Sequence, residues 1–281
     1  MSKCLFGLGL ERETAINFLK GGIMHQTLQP KKLTAFPTFI PASTKEYLAV
    51  VCHEIGSPLT TIIGLSQILT NRECNQQKKE EYNRMLRNST DRLLHLMKNL
   101  LDSNKISSGN MDIEYGVFDA PQFIQKIIDS VALRAEEKGL FMAVCWQKDL
   151  PNQWWGDGLR ISQVLLNIID NAIKFTIKGH VALYVETAEN IDGKQQICFR
   201  IEDTGMGMKP DELEHIFTQY HQAGVGTGRR FGGYGLGLAI SYHLATLMHG
   251  NITVQSWPGC GTQFLVTLPL LENNSNEVAC R

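Results

Sequence analysis

Long apolar runs are missing from this 281-residue sequence, and none approaches the ~18–20 residues that a membrane-spanning helix requires. The first ten residues also lack the basic start and the long apolar centre of a signal peptide. We therefore expect a cytoplasmic protein that is not exported, with no membrane segment in this chain.

Regularly spaced cysteines and an excess of charge of either sign are missing as well. The seven cysteines are scattered and odd in number, with no C-x-x-C spacing, which indicates reduced thiols in a cytosolic protein. The 27 basic and 28 acidic side chains give a formal net charge of −1, so no strong field recruits nucleic acid or an anionic membrane. Any anion that binds must be held locally.

The composition is that of an ordinary globular protein, with 43% apolar and 20% charged residues. The length fits two modest domains better than one small core. We expect a lead-in of unknown role over residues 1–42, irregular or partly helical, because glycines and prolines interrupt it. A helical hairpin over 43–106, an α+β domain over 110–270 and a tail over 271–281 complete the expected organisation.

Two apolar stripes at spacings of three and four residues predict the helical hairpin. A proline in the first stripe predicts a kink near residues 54–58. One hairpin covers only one side of each stripe, so we expect a homodimer that forms a four-helix bundle. The stripes are Leu48, Val51, Ile55, Leu59, Ile62, Leu65 and Leu69, then Tyr82, Met85, Leu86, Leu93, Leu96 and Leu100.

Helical and strand patterns alternate beyond the linker at residues 107–110, which predicts an α+β two-layer sandwich. The expected helices cover residues 120–138 and 157–175, and a third ends near Met248. The expected strands cover residues 141–147, 181–187, 196–202, 251–256 and 262–268.

Three polar side chains share one stripe of the second of these helices. Asn167, Asn171 and Lys174 are spaced i, i+4 and i+7. Asparagine is a poor residue for a helix interior, so a polar ligand against this stripe would explain it. An amide oxygen can ligate Mg²⁺ and a lysine can meet phosphate oxygens. Taken alone, however, the stripe is better explained as a solvated helix face, because short patterns often match by chance.

An aspartate and two glycines, Asp203-x-Gly205-x-Gly207, follow an expected strand. Asp203 at the strand end can accept a hydrogen bond from an amino group, and the glycines let a ligand approach the backbone. Asp-Thr-Gly is also the aspartic-protease triplet, but that chemistry needs two carboxylates and no second triplet occurs. A plain turn is the other alternative.

A second glycine series, Gly233-x-Gly235-x-Gly237, opens directly into an apolar helix. The free N–H groups of a helix start suit a phosphate. The series is neither a Walker A loop nor a Rossmann turn. A flexible connector explains it as well.

Together and in this order, the three segments resemble the N, G1 and G2 boxes of the ATP-binding superfamily of gyrase, Hsp90, histidine kinases and MutL. The resemblance implies ATP and Mg²⁺ as cofactors. It implies that Asn171 is the Mg²⁺ ligand, that Asn167 and Lys174 lie near the phosphates, and that Asp203 binds the adenine amino group. Arg229 and Arg230 fall in the part that corresponds to the mobile lid, where they are candidates to reach the γ-phosphate.

The upstream segment His53-Glu54-Ile-Gly56-Ser57-Pro-Leu resembles the H box of histidine kinases. The resemblance implies that His53 accepts the γ-phosphoryl group and that Glu54 accepts or orients a proton. Gly56 stands where the family commonly has arginine. Ser57 replaces a residue linked to phosphatase activity, and Tyr234 replaces a small residue in the lid.

We therefore expect a sensor histidine kinase that autophosphorylates on His53 and passes the phosphoryl group to an aspartate of a response regulator receiver domain. An upstream sensor protein is a further candidate partner, and nucleic acid is not expected. Two alternatives stay open. One is a degenerate kinase that acts as a dimeric scaffold, and the other is a non-kinase ATPase of the gyrase or MutL kind.

Overall fold

A computed structural model describes residues 3–6, 44–70, 75–189, 195–218 and 235–270. The hairpin consists of α1, Thr44–Thr70, and α2, Gln76–Ser107. Asn75 caps α2, because its side chain accepts a hydrogen bond of 2.9 Å from the Lys78 amide. The expected pair of long helices is thus confirmed, with Pro58 buried inside α1.

Apolar side chains on both hairpin helices remain exposed in the single chain. Each helix contributes a face that the other helix does not cover, as a half of a larger bundle would. The exposed residues are Leu59, Ile63 and Ile68 of α1, and Met85, Leu94, Met97 and Leu101 of α2.

The remaining elements form the expected two-layer α+β sandwich. The strands are β1 Lys3–Phe6, β2 Gly116–Asp119, β3 Phe141–Trp146, β4 Gln153–Gly156, β5 His180–Glu189, β6 Gln195–Asp203, β7 Asn251–Trp257 and β8 Gly261–Leu268. The helices are α3 Ala120–Glu137, α4 Gly158–Phe175, the short α5 Pro210–Leu213 and α6 Gly237–Leu247.

Six strands form one mixed sheet in the order β1-β3-β5-β6-β8-β7, and β2 pairs with β4 separately. Only the β3–β5 pair is parallel among the strands of the described ranges. The core lies between the sheet and the helices. It includes the buried side chains of Val164 and Ile168 on α4, together with those of Phe199 and Ile201 on β6.

Three strands were not expected from the sequence. The lead-in prediction is wrong for Lys3–Phe6, which pair with β3 as an antiparallel edge strand. The β2–β4 pair was missed because four-residue strands are too short to show a period of two. Trp154 of β4 explains why the pair forms, since it stacks on Trp146 at 5.5 Å and is fully buried.

Candidate functional site

Both ends of α4 are fixed by side chains from outside the helix. The Asp157 carboxylate caps its start and accepts hydrogen bonds from the Arg160 amide (3.0 Å) and the Glu114 amide (2.9 Å). At the other end, Lys138 Nζ donates to the carbonyls of Ile173 (2.7 Å) and Lys174 (2.8 Å), where a cation also complements the helix dipole. The polar stripe of α4 is therefore held on a rigid element.

The first asparagine of the stripe packs against the start of α6. Asn167 Nδ2 donates a 2.8 Å hydrogen bond to the Ser241 hydroxyl. A Cβ atom built on Gly237 would lie 2.3 Å from Asn167 Oδ1, so only glycine permits this approach. Asn167 thus does not lie on a solvated helix face. Asn171 follows one turn later and is half-buried.

The lysine of the stripe lies in a partly desolvated, positive environment. Burial lowers the pKa of Lys174 to about 8, and the nearby charges of Arg92 and Lys138 act in the same direction. Its Nζ lies 4.7 Å from the centroid of the Phe175 ring. Such a lysine gains most from an anionic partner, as a phosphate would be.

Asp203 ends β6 as one of the few buried acids of the described residues, with an exposed fraction of 6%. Burial raises its pKa to about 6, although hydrogen bonds from the Gly205 and Thr262 amides oppose that shift. The Gly205 amide lies 2.8 Å from Asp203 Oδ1. The carboxylate keeps further acceptor capacity for a ligand, since each ionised oxygen accepts more than one hydrogen bond.

The glycines after Asp203 are required by close backbone contacts. A Cβ on Gly205 would lie 2.8 Å from the Phe175 carbonyl oxygen, and one on Gly207 would lie 2.0 Å from that of Trp257. Gly207 also has a φ of +64°. The Met206 amide reaches the Phe175 carbonyl at 3.4 Å, so the end of α4 meets this loop.

A hydroxyl network behind Asp203 was missed in the sequence. Ser256 Oγ lies 2.9 Å from Thr262 Oγ1 and accepts a hydrogen bond of 2.8 Å from the Met208 amide. Both hydroxyl residues are buried, and Thr262 is the register partner of Asp203 in β8. The only sequence signal is that serine and threonine occupy otherwise apolar strand ends, which is a weak one. Ser241 on α6 was missed for the same reason.

The second glycine series is described from Gly235 onward. Gly235 has a φ of +62°, and Gly237 begins α6 beside Asn167. Gly233, Arg229 and Arg230 lie outside the described residues. The structure therefore brings the asparagine stripe, the Asp203 loop and the start of α6 together around one helix, α4.

The backbone of His53 lies in α1, and its side chain lies outside what the structure describes. The neighbouring Glu54 is half-buried. A Cβ built on Gly56 would meet no atom within 4 Å, so the side of α1 one turn after His53 is open. His53 is 17 residues before the end of α1, which places it level with residue 93 of the antiparallel α2.

A polar contact joins α2 to the first turn of α4. Asp102 accepts hydrogen bonds from Gln163 Nε2 (2.7 Å) and Arg160 Nη1 (3.3 Å), and Arg160 also donates to Gln163 Oε1 (3.0 Å). The side chains of Asp102 and Arg160 are only 14% and 16% exposed. These three residues tie the hairpin to the sandwich, and the sequence assigned none of them this role.

Known protein families match both parts of the chain. Residues 43–109 match the model described as "His Kinase A (phospho-acceptor) domain". Residues 156–272 match the model described as "Histidine kinase-, DNA gyrase B-, and HSP90-like ATPase".

In the described residues, no helix is both long and apolar enough to cross a membrane.

Curated relatives from distant organisms are about a third identical to the chain over the aligned residues. Hybrid signal transduction histidine kinase L of Dictyostelium discoideum is 30% identical over 253 residues, which are 90% of this chain and 15% of that protein. Histidine kinase 5 of Arabidopsis thaliana is 33% identical over 83% of this chain and 27% of its own length. The histidine-protein kinase BarA of Escherichia coli K12 is 32% identical, with 78% and 24% covered. The chain thus spans less than a third of each of these three relatives.

Solved structures share the fold. Full-length ShkA, crystallised in complex with AMPPNP, has a TM-score of 0.59 and 30% identity over 80% of this chain and 46% of its own. The histidine kinase ThkA, crystallised in complex with the response regulator protein TrrA, has a TM-score of 0.55 and 20% identity. Coverage for ThkA is 80% of this chain and 61% of its own.

Proposed function

Because this chain belongs to the sensor histidine kinase family, we propose that it binds ATP with Mg²⁺ and transfers the γ-phosphoryl group to its own His53. The observation that supports this most is the convergence of Asn167, Lys174 and Asp203 around α4, beside the hairpin that carries His53. Fixed elements hold all three side chains, as the positioning of a nucleotide requires.

The two ends of a nucleotide have distinct partners in this proposal. The buried carboxylate of Asp203 accepts a hydrogen bond from the adenine amino group, with the Gly205 amide fixing its orientation. The phosphates lie against Lys174 and the open N–H groups at the start of α6. The similarity to ShkA, which was crystallised in complex with AMPPNP, supports a nucleotide at this site.

The donor set suits Mg²⁺ better than a metal held by the protein alone. No group of three or more histidine, cysteine or acidic side chains in the described ranges can hold a metal. Mg²⁺ usually takes one or two protein oxygens together with substrate phosphates, and Asn171 offers an amide oxygen on the α4 stripe. When bound, Mg²⁺ neutralises charge that develops on the phosphates.

The proposed reaction forms one bond and breaks one. A neutral His53 uses the lone pair of one ring nitrogen to bond to the γ-phosphorus. The bond from the γ-phosphorus to the β,γ-bridging oxygen breaks, and ADP leaves with that electron pair. Glu54 takes the proton from the other ring nitrogen, so the phosphorylated ring ends neutral.

The proposed partners follow from the hairpin. Its exposed apolar faces on α1 and α2 support a homodimer that closes a four-helix bundle. By family membership, the phosphoryl group then passes to an aspartate of a response regulator receiver domain. An upstream sensor protein would supply the signal, and the cytoplasm is the proposed location.

Labelling with ATP that carries radioactive phosphorus at the γ position tests this function. A phosphohistidine is labile in acid and stable in base, so the purified protein should retain a label of that kind. Steady phosphate release without a stable label would instead support an ATPase of the gyrase or MutL kind. If calorimetry detects no Mg-dependent ATP binding, and Asn171→Ala changes nothing, the chain is a scaffold.

A further inference from the structure

Phosphoryl transfer to His53 requires cations near the moving group, and α1 offers few. Negative charge spreads over three oxygens of the phosphoryl group in the transition state. Apart from His53 itself, Lys45 is the only basic residue of α1. Eight residues separate it from His53, which is about 12 Å along the helix. The charge must therefore come from another element.

Arg92 continues the stripe of buried residues on α2. Leu96, Asn99 and Ser103 are the buried residues of α2. Together with Arg92 they are spaced i, i+4, i+7 and i+11, so all four lie on one side of the helix. The Arg92 side chain is exposed, because it lies one turn before Leu96, where the buried part of the stripe begins.

The register between α2 and α4 places Arg92 at the far end of α4. Asp102 meets Arg160 in the first turn of α4, so the two helices start their contact there. Further along, desolvation lowers the pKa of His95 and the Asp170 carboxylate opposes that shift, which indicates that these two residues are close. This agrees with an antiparallel arrangement of α2 and α4 that starts from the contact of Asp102 with Arg160.

Continuing that register one turn past His95 brings Arg92 to Lys174, the last residue of the polar stripe. The effect of the Arg92 charge on the pKa of Lys174 agrees with this placement. Arg92 also lies level with His53, because residue 93 is the counterpart of residue 53 across the hairpin. By this register, Arg92 lies at the phosphate end of the proposed nucleotide site and at the level of His53 along the hairpin.

We propose that Arg92 contacts the γ-phosphoryl group and neutralises its charge as the group passes from ATP to His53. The inference rests on the proposed function, since it assigns a residue to that reaction. A guanidinium suits the role, because it stays charged and can hold two phosphate oxygens at once. Arg92 acts mainly on transfer and little on ADP binding, since ADP lacks the γ-phosphate.

The test compares autophosphorylation of Arg92→Gln with that of Arg87→Gln at saturating Mg-ATP. Arg87 is an exposed arginine of the same helix, roughly opposite Arg92, and is the matched control. We expect Arg92→Gln to slow labelling about tenfold or more, as removal of a single transition-state donor does. The affinity for ADP should stay within about twofold of wild type. ADP has no γ-phosphate for Arg92 to contact, so the substitution should lower the rate of transfer without weakening nucleotide binding.

Rescue distinguishes charge from structure. Arg92→Lys should label at a rate between those of wild type and Arg92→Gln. Lysine keeps the positive charge but cannot hold two phosphate oxygens at once as a guanidinium does. Adding Gly56→Arg to Arg92→Gln should restore part of the rate, because the space around Gly56 is open and lies one turn from His53. A merely structural defect would not respond to a cation placed on α1.

The outcomes separate the two proposals. If wild type labels and Arg92→Gln labels as fast as Arg87→Gln, the role of Arg92 is overturned and the proposed function stands. The role is also overturned if Arg92→Gln loses ADP affinity to the same extent as rate and Gly56→Arg restores neither. If wild type itself acquires no label, the proposed function fails first.

Discussion

The side-chain amide of Gln163 donates a 2.7 Å hydrogen bond to the carboxylate of Asp102. This bond joins the hairpin helix α2 to α4, the helix around which the proposed nucleotide site is built. Arg160 completes the contact through the same carboxylate. The hairpin and the site are therefore mechanically linked in this structure.

Asp102→Ala should loosen that link. The change leaves the largely buried guanidinium of Arg160 without a carboxylate partner and with only the Gln163 amide oxygen, which costs up to about 3 kcal/mol. Thermal unfolding followed by calorimetry should then show a lower Tm, or two transitions as the halves unfold separately. Asp91→Ala removes an exposed acid of the same helix and is the control. Equal Tm values for the two variants would contradict the link.

Gly207→Ala should destabilise the protein more than Gly259→Ala does. Both glycines have a positive φ, +64° and +76°, so both substitutions carry the backbone cost of about 1–2 kcal/mol. Only at Gly207 would the new Cβ meet a backbone oxygen, that of Trp257 at 2.0 Å. Denaturant unfolding of the two variants measures the difference. Equal losses of stability in the two variants would show that the loop around Gly207 can move to accommodate the Cβ atom.

Nucleotide affinity should fall as the pH drops through about 6. The adenine amino group needs the ionised form of Asp203, and burial raises the pKa of this carboxyl to about 6 in the free protein. Below that pH, the affinity for ADP should decrease by up to about tenfold per pH unit. Calorimetric titrations from pH 5 to 8 measure it. Asp203→Asn should bind weakly at every pH, and a wild-type affinity without pH dependence would argue against this role.

The same burial affects stability with a definite sign. Because the pKa of Asp203 is raised on folding, the folded state prefers the protonated carboxyl, and ionisation between about pH 4 and 6 costs stability. Asp203→Asn removes that cost. We therefore expect this variant to have a higher Tm than wild type at pH 7 and a similar Tm at pH 4, measured without nucleotide. A lower Tm at pH 7 would mean that the hydrogen bonds to the carboxylate outweigh its desolvation.

ADP binding at pH 8 should take up about half a proton per molecule. Lys174 has a pKa of about 8 in the free protein, so about half of the molecules carry a neutral amine there. Phosphate favours the charged form, and the proton comes from the buffer. The binding enthalpy should therefore change with the ionisation enthalpy of the buffer. Lys174→Gln should abolish this dependence and Lys178→Gln, an exposed neighbour, should keep it. A wild-type enthalpy independent of buffer would refute it.

The long elements of the fold were predictable because their apolar periods are long. The hairpin stripes and the amphipathic face of α4 repeat over several turns, so local pattern and tertiary packing agree. The strands β2 and β4 carry only four residues each, and their stability comes from Trp154 packing on Trp146. Such contacts between distant segments leave no local signature.

Part of the candidate site was predictable from unusual residue types in the sequence. The asparagine stripe and the glycine series stand out because those residue types are unfavourable in a helix or a strand unless something requires them. Ser241 and Thr262 do not stand out, since a single hydroxyl among apolar residues is common. The contact of Asp102 and the proposed role of Arg92 were not predicted, because both depend on how α2 packs against α4, which no local pattern encodes.

The most direct measurement is to locate the phosphate after incubation with γ-labelled ATP. Four proteins should be compared: wild type, His53→Ala, His95→Gln and Asn171→Ala. We expect an acid-labile, base-stable label on wild type and on His95→Gln, whose histidine lies on the other hairpin helix. We expect no label on His53→Ala and a strongly reduced one on Asn171→Ala. A label on His53→Ala equal to that on wild type would contradict the central claim.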